Sequence, residues 1–117
     1  MSDAETLMRA NLLEVFGERD PERRAAAIAR TYADDVVFSD PESVVTGHAA
    51  LDAKAQGILD GAPGFVFAPS GAVYLNQDLA YLAWGFGPKG QPAVVNGVDI
   101  GFIADGRLAK VYTLLLK

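Results

Sequence analysis

Asn96-Gly97-Val98-Asp99-Ile100-Gly101-Phe102-Ile103-Ala104-Asp105-Gly106-Arg107-Leu108-Ala109-Lys110-Val111-Tyr112-Thr113-Leu114-Leu115-Leu116 is the stretch on which the fold turns. An Asp-Gly pair between two apolar, β-branched runs signals a hairpin, because both residues tolerate the positive φ of a tight turn. The reading is a long strand over 93–104, a turn at Asp105-Gly106 and a closing strand over 108–116. Asn96-Gly97 is read as a bulge inside the long strand, since a turn there would leave only about three residues before it. Side chains alternate across a strand. Gly97, Asp99, Gly101 and Ile103 therefore share one face and Val98, Ile100 and Phe102 the other, while Val111, Thr113 and Leu115 oppose Tyr112, Leu114 and Leu116. Both faces are largely apolar, so both need cover.

Upstream, 65–68, 73–75 and 79–86 read as further strands, with a turn at Gly87-Pro88-Lys89-Gly90. The first half reads as helices. Met8, Leu12, Val15 and Phe16 recur at helical spacing up to Gly17. Asp20-Pro21-Glu22 starts a second helix, with a capping acid, a proline suited to the first helical position and an acid at the positive end of the dipole. Its apolar stripe is Ala25, Ile28, Ala29 and Tyr32, and it ends at Asp34-Asp35 before the short strand Val36-Val37-Phe38. Pro41 forces extended backbone on Asp40, which places that acid at a strand end. A third helix follows Thr46-Gly47, with Leu51, Ala55, Ile58 and Leu59 on one face and Gly61 closing it.

The expectation is one α+β domain over 1–117, with three N-terminal helices covering one face of a mostly antiparallel sheet. The outer sheet face is then left for a second copy, which predicts a homodimer. The 117 residues suit one domain, and half of them are apolar, enough for a core. A net charge of -5 without a basic run argues against nucleic acid and anionic membrane surfaces as partners. With no cysteine and a single histidine, His48, disulfides, thiolate metal sites and His-rich zinc sites are excluded, and no metal is expected. The N-terminal residues show no secretion signal and no apolar run approaches the ~20 residues of a membrane span. A cytoplasmic location follows as the expectation.

Two acids stand out. Asp99, between Val98 and Ile100, needs a partner or a proton, because burying a bare carboxylate is costly. Asp40 reads either as a reactive carboxylate or as a turn residue capping the strand before Pro41. Phe38 shares the face of Asp40, and Leu82, Trp84 and Phe86 share a strand face. Tyr32 is a pocket donor or a core residue with its hydroxyl satisfied. His48, in the first turn of the third helix, reads as a near-surface residue.

The order of elements, and several motifs within it, resemble the nuclear transport factor 2-like superfamily over nearly the whole chain. Tyr32-Ala33-Asp34-Asp35-Val36-Val37-Phe38 is similar to its junction between second helix and first strand. Thr46-Gly47-His48 resembles its entry to the third helix, and Gly97 to Phe102 with Asp105-Gly106-Arg107-Leu108 its closing hairpin. The resemblance implies a cone-shaped, cystatin-like roll with an apolar pocket. Within the superfamily the chain resembles ketosteroid isomerase, with SnoaL-like polyketide cyclases as relatives. That resemblance implies Asp40 as the proton-shuttling carboxylate, Asp99 as a protonated acid donating to an enolate oxygen, and Tyr32 in the supporting network. It also marks a departure. Leu12 stands where the isomerase keeps its main oxyanion tyrosine, and Ala55 replaces another network tyrosine.

The implied pocket wall comprises Leu12, Tyr32, Phe38, Ala55, Leu82, Trp84, Phe86, Val111 and Leu115. The function expected is cofactor-independent acid–base catalysis, isomerase or cyclase in type, on a lipophilic carbonyl compound, with Asp40 as base and Asp99 as acid. A hydratase or epoxide hydrolase would instead keep both aspartates ionised around a water. It would need an Arg or Asn in the pocket, and the one strand arginine, Arg107, falls near the turn. A small-molecule-binding or structural domain without chemistry is the alternative from another class.

Overall fold

The computed structural model describes residues 3–116. Along the chain it has α1 (Asp3–Ala10), a π-helical segment (Asn11–Phe16), α2 (Pro21–Thr31), β1 (Tyr32–Ser39), β2 (Val44–Thr46) and α3 (His48–Asp60). Then follow β3 (Phe65–Pro69), β4 (Tyr74–Asn76), β5 (Leu79–Pro88), β6 (Val95–Ala104) and β7 (Arg107–Leu116). The strands form one sheet in the order β2-β1-β7-β6-β5-β3, with β4 beside β5. Every pairing is antiparallel except β1 with β7. This is the expected α+β architecture. The hairpin that decides it closes as read: Asp105 and Gly106 take φ of 52° and 77°, and Ala104 pairs with Arg107.

The core lies between the helices and the inner sheet face. Met8, Leu12, Val15, Ile28, Leu51, Ala55 and Leu59 meet Tyr32, Val36, Phe38, Leu82, Leu108 and Val111 there. The outer face keeps Tyr112, Leu114 and Leu116 exposed. Asp20 caps α2 as expected, accepting from the Glu22 N–H at 3.0 Å with Pro21 at the first helical positions.

Four local expectations are corrected. The first concerns the boundary of the second helix, which stops at Thr31, so that Tyr32 through Asp35 already belong to β1. His48 accounts for part of this, because its Nε2 lies 3.2 and 3.0 Å from the Tyr32 and Ala33 carbonyls and holds them out of the helix. The buried stripe of α2 is Arg24, Ala27, Ile28 and Thr31, while Ala25 and Ala29 are exposed. Arg24 can be buried because each of its three nitrogens donates: Nε to Asp52 at 2.6 Å, Nη1 to the Glu18 carbonyl at 2.8 Å, Nη2 to Gln56. No bulge forms at Asn96-Gly97, where β5 and β7 pair on either side in unbroken register. The irregularity falls at Phe102–Ile103, next to the tight turn. Finally, the sequence reading did not include the short β2, which hydrogen-bonds to the end of β1.

Candidate active site

Asp99 sits at the centre of β6, opposite Leu82 of β5 and Thr113 of β7. The glycines two residues to either side clear space around it. A Cβ on Gly97 would lie 2.3 Å from Cζ2 of Trp84, and one on Gly101 would lie 2.7 Å from Leu108 and 2.8 Å from the Met8 sulfur. Gly97 thus lets the indole lie flat over the strand, and Gly101 lets α1 come down onto the sheet.

The helix above Asp99 widens to a π-helix at Asn11–Phe16, a local irregularity common at functional sites. Asn11, fully buried within it, donates from Nδ2 to Asp99 Oδ2 at 2.8 Å. The Asn11 Oδ1 accepts from the Tyr32 hydroxyl at 2.6 Å. On the other oxygen, Thr113 Oγ1 lies 2.7 Å from Asp99 Oδ1. The indole N–H of Trp84 is buried without an acceptor in hydrogen-bond geometry, yet it lies close enough to Asp99 to act on it as a donor. Burial raises the Asp99 carboxyl above its ordinary range; the donors from Thr113, Trp84 and Asn11 oppose this but do not cancel it. Burial, with the Asp99 charge second, likewise keeps Tyr32 a phenol.

Asp40 lies just past the end of β1, in the tight turn to β2. Its Oδ1 accepts from the Glu42 and Ser43 N–H groups at 2.9 and 3.0 Å, and its Oδ2 meets Lys54 Nζ at 2.7 Å. Lys54, on α3, also reaches Ser43 Oγ at 3.1 Å and Glu42 at 3.5 Å. Burial works upward on Asp40, but the Lys54 hydrogen bond, the two backbone donors and the Lys54 charge together hold it below the ordinary range. Lys54 moves the opposite way: burial works downward, and its bonds to Asp40 and Glu42 outweigh it and raise it.

Both acids line one cavity of about 270 Å³. Of the residues assigned to the pocket from sequence, Leu12, Phe38, Trp84, Phe86 and Leu115 also line it. Tyr32, Ala55, Leu82 and Val111 do not reach its wall. They are fully or almost fully buried in the core behind it, Tyr32 touching the site only through Asn11. The rest of the wall is chiefly aromatic and aliphatic, with Phe67 stacked on Phe86 at 4.0 Å and edge-on to Trp84 at 5.2 Å. His48 faces the start of β1 and is not in the wall.

Four polar residues at the site were not found by sequence reasoning: Asn11, Lys54, Glu42 and Thr113. A signal existed for the first two. Asn11 falls on the stripe 8, 11, 12, 15, and Lys54 on the stripe 51, 54, 55, 58, both at buried helical spacing. The arginine-or-asparagine partner sought for a water-activating site exists as Asn11, although it bonds Asp99 from behind rather than lining the cavity. Among the described residues no three ligating side chains converge on a metal position, and no helix is long and apolar enough to cross a membrane.

The family model described as SnoaL-like domain matches residues 10–111. A proposed isomerase of the SnoaL-like family from Agrobacterium tumefaciens superposes with a TM-score of 0.91 at 21% identity, covering 100% of both chains. A proposed SnoaL-like polyketide cyclase from Jannaschia gives 0.77 at 15% identity, covering 97% of this chain and 84% of that one. A proposed ketosteroid isomerase from Kribbella flavida gives 0.73 at 19%, covering 98% and 78%. No curated protein is significantly similar in sequence. At these identities the solved structures establish the fold, the nuclear transport factor 2-like α+β roll.

Proposed function

The chain belongs to the SnoaL-like domain family, and from that premise we propose that it is a cofactor-independent acid–base enzyme of isomerase or cyclase type, acting on a lipophilic carbonyl compound. One observation carries the reading. Two carboxyls line the same apolar cavity, and their surroundings push them in opposite directions, Asp99 toward the neutral acid and Asp40 toward the carboxylate. Such a separation divides acid and base roles between two like groups. Ionised Asp40 removes a proton beside the substrate carbonyl, and the charge developing on its oxygen is met by a hydrogen bond from the neutral acid side. Returning the proton from Asp40 to another carbon completes an isomerisation. Attack of the enolate carbon on a second carbonyl of the same molecule, with the proton held by Asp40 passing to the alkoxide so formed, completes a cyclisation. Apolar walls fit a lipophilic substrate. Exposed Tyr112, Leu114 and Leu116 on the outer sheet face support a homodimer formed through that face, and a cytoplasmic location is part of the same reading.

The test is exchange of the α-hydrogens of cyclic and aryl ketones in deuterium oxide, followed by NMR. Wild type is expected to catalyse exchange. Asp40→Asn is expected to lose it by a hundredfold or more, at about the factor typical of a general base, with ketone affinity little changed. Ketones that bind without exchange would support a second reading, a small-molecule-binding domain without turnover. A specific observation favours that reading: both oxygens of Asp40 are already occupied, as in an ordinary turn.

A further inference from the structure

Asp99 is surrounded by groups that differ in one respect. The Asn11 amide and the Trp84 indole can only donate toward it, whereas the Thr113 hydroxyl can donate or accept. The Asn11 amide is not free to turn over. The Tyr32 hydroxyl stays protonated and donates to Asn11 Oδ1. A flipped amide would leave that buried proton facing an N–H₂ group, at the cost of an unmade buried bond. Asp99 itself is 5% exposed and no Lys, Arg or His pairs with it among the described residues. A carboxyl buried without a counter-charge keeps its proton, and that proton needs an acceptor.

We infer that Thr113 is a further catalytic residue: it accepts the Asp99 proton at Oγ1 and turns its own O–H into the cavity, where it is the donor that meets the substrate oxygen. Thr113 lines the cavity and lies 2.7 Å from Asp99 Oδ1, directly across from it in the β6–β7 register. The inference rests on the acid–base reading and locates its acid side on β7 rather than β6. As negative charge develops on the substrate oxygen, two O–H protons move along one chain. The Asp99 O–H bond breaks as a new one forms at Thr113, and the original Thr113 O–H breaks as one forms at the substrate oxygen. Asp99 is left as a carboxylate, Thr113 is unchanged in composition, and the substrate is an enol. The carboxylate is then stabilised by the Asn11 amide already bonded to its Oδ2 and by the returned Thr113 hydroxyl on its Oδ1. The arrangement also gives the first helix a substitute for a direct donor. Leu12 contributes only apolar wall, and its neighbour Asn11 holds the acid from behind.

The experiment compares wild type, Thr113→Val and Thr113→Ser, using tetralone and cyclohexanone labelled at the carbonyl carbon. Two readouts are taken: the NMR shift of the bound carbonyl carbon and the rate of α-hydrogen exchange. In wild type the bound carbonyl moves downfield of its position in hydrocarbon solvent, as a carbonyl does on accepting a hydrogen bond. The valine variant is expected to lose that displacement and to slow exchange by roughly a hundredfold, in the range typical of one lost oxyanion donor. The serine variant restores both. A downfield shift that survives in Thr113→Val places Asp99 itself against the carbonyl and overturns the inference, while leaving the acid–base reading intact. Ketones that bind wild type without downfield shift or exchange overturn the reading and the inference together. Equal losses in the valine and serine variants assign Thr113 a packing role and overturn the inference.

Discussion

Gly97→Ala gives a test of the geometry that needs no substrate. The new methyl would lie 2.3, 2.6 and 2.8 Å from three carbons of the Trp84 indole. Ordinary contact begins at 3.4 Å, so the ring or the strand must yield by roughly 1 Å in an interior packed like a crystal. β6 is held on both sides by continuous pairing to β5 and β7, which leaves the indole as the part that moves. Its free side is the cavity, because Phe67 packs against it edge-on at 5.2 Å. Overpacking of this kind costs about 1–3 kcal/mol. Taking ~2 kcal/mol and about 4 °C per kcal/mol for a domain of this size, the expected loss in melting temperature is ~8 °C. Trp84 is the one tryptophan in the chain, so its emission spectrum reports the displacement directly. Urea denaturation followed by that emission gives the loss in unfolding free energy and the displacement in one titration, and a thermal melt gives the shift in melting temperature. A variant within about 0.5 kcal/mol of wild type, with an unchanged emission maximum, would refute the claim that Gly97 exists to seat the indole.

Three further outcomes are expected. Asn11→Ala strips the Tyr32 hydroxyl and one Asp99 oxygen of their partner at the same time. At about 1–3 kcal/mol per unsatisfied buried group it should lose ~2–6 kcal/mol in denaturant unfolding, and a loss below about 1 kcal/mol would show the network to be dispensable. The pH dependence of stability should divide by residue. Folded Asp99 holds its proton more tightly than the unfolded chain does, so its contribution is complete below the ordinary value of 3.8 and is lost as pH rises to the folded value. Asp40, held below 3.8, contributes above that value and loses the contribution as pH falls through the folded one. Asp99→Asn should therefore flatten the upper part of the stability curve and Asp40→Asn the acid part. An unaltered curve in either variant contradicts the corresponding shift. Finally, wild type should show a scattering mass of two chains at micromolar concentration and Leu114→Glu a mass of one. A single-chain mass for wild type rules out the outer sheet face as a dimer interface.

The strands were the legible part of this sequence. The period-two pattern of β5, β6 and β7, with Asp-Gly between the last two, sorted the side chains into two faces and grouped Asp99 with Gly97, Gly101 and Ile103, and the resemblance made that face the inner one. The turn containing Asp40 was legible from the proline that follows. The reading missed polar residues on helices. Arg24 and Asn11 are buried and Lys54 half-buried on the inward stripes of their helices, where a polar residue reads as an interruption, and each is tolerated because its polar atoms are bonded across the fold. Those bonds are made with partners 28, 88 and 14 positions away for Arg24–Asp52, Asn11–Asp99 and Lys54–Asp40, so no local pattern contains them. The same limit explains Tyr32. Its two readings, pocket donor or core residue with a satisfied hydroxyl, are separated only by the bond to Asn11, 21 positions away, that holds it in the core. Gly97 was noticed as an anomaly and assigned to a bulge, since the indole that needs the space comes from a different strand.

The central claim is that two carboxyls in one apolar cavity are held in opposite protonation states. Carbon-detected NMR titration of the wild-type aspartate carboxyls in the absence of ligand tests it most directly, because no knowledge of the substrate is required. The account predicts that Asp99 titrates above the ordinary value of 3.8 and Asp40 below it. Both resonances titrating together near 3.8 would contradict it, and the cavity would then hold two ordinary carboxylates with no division of labour between them.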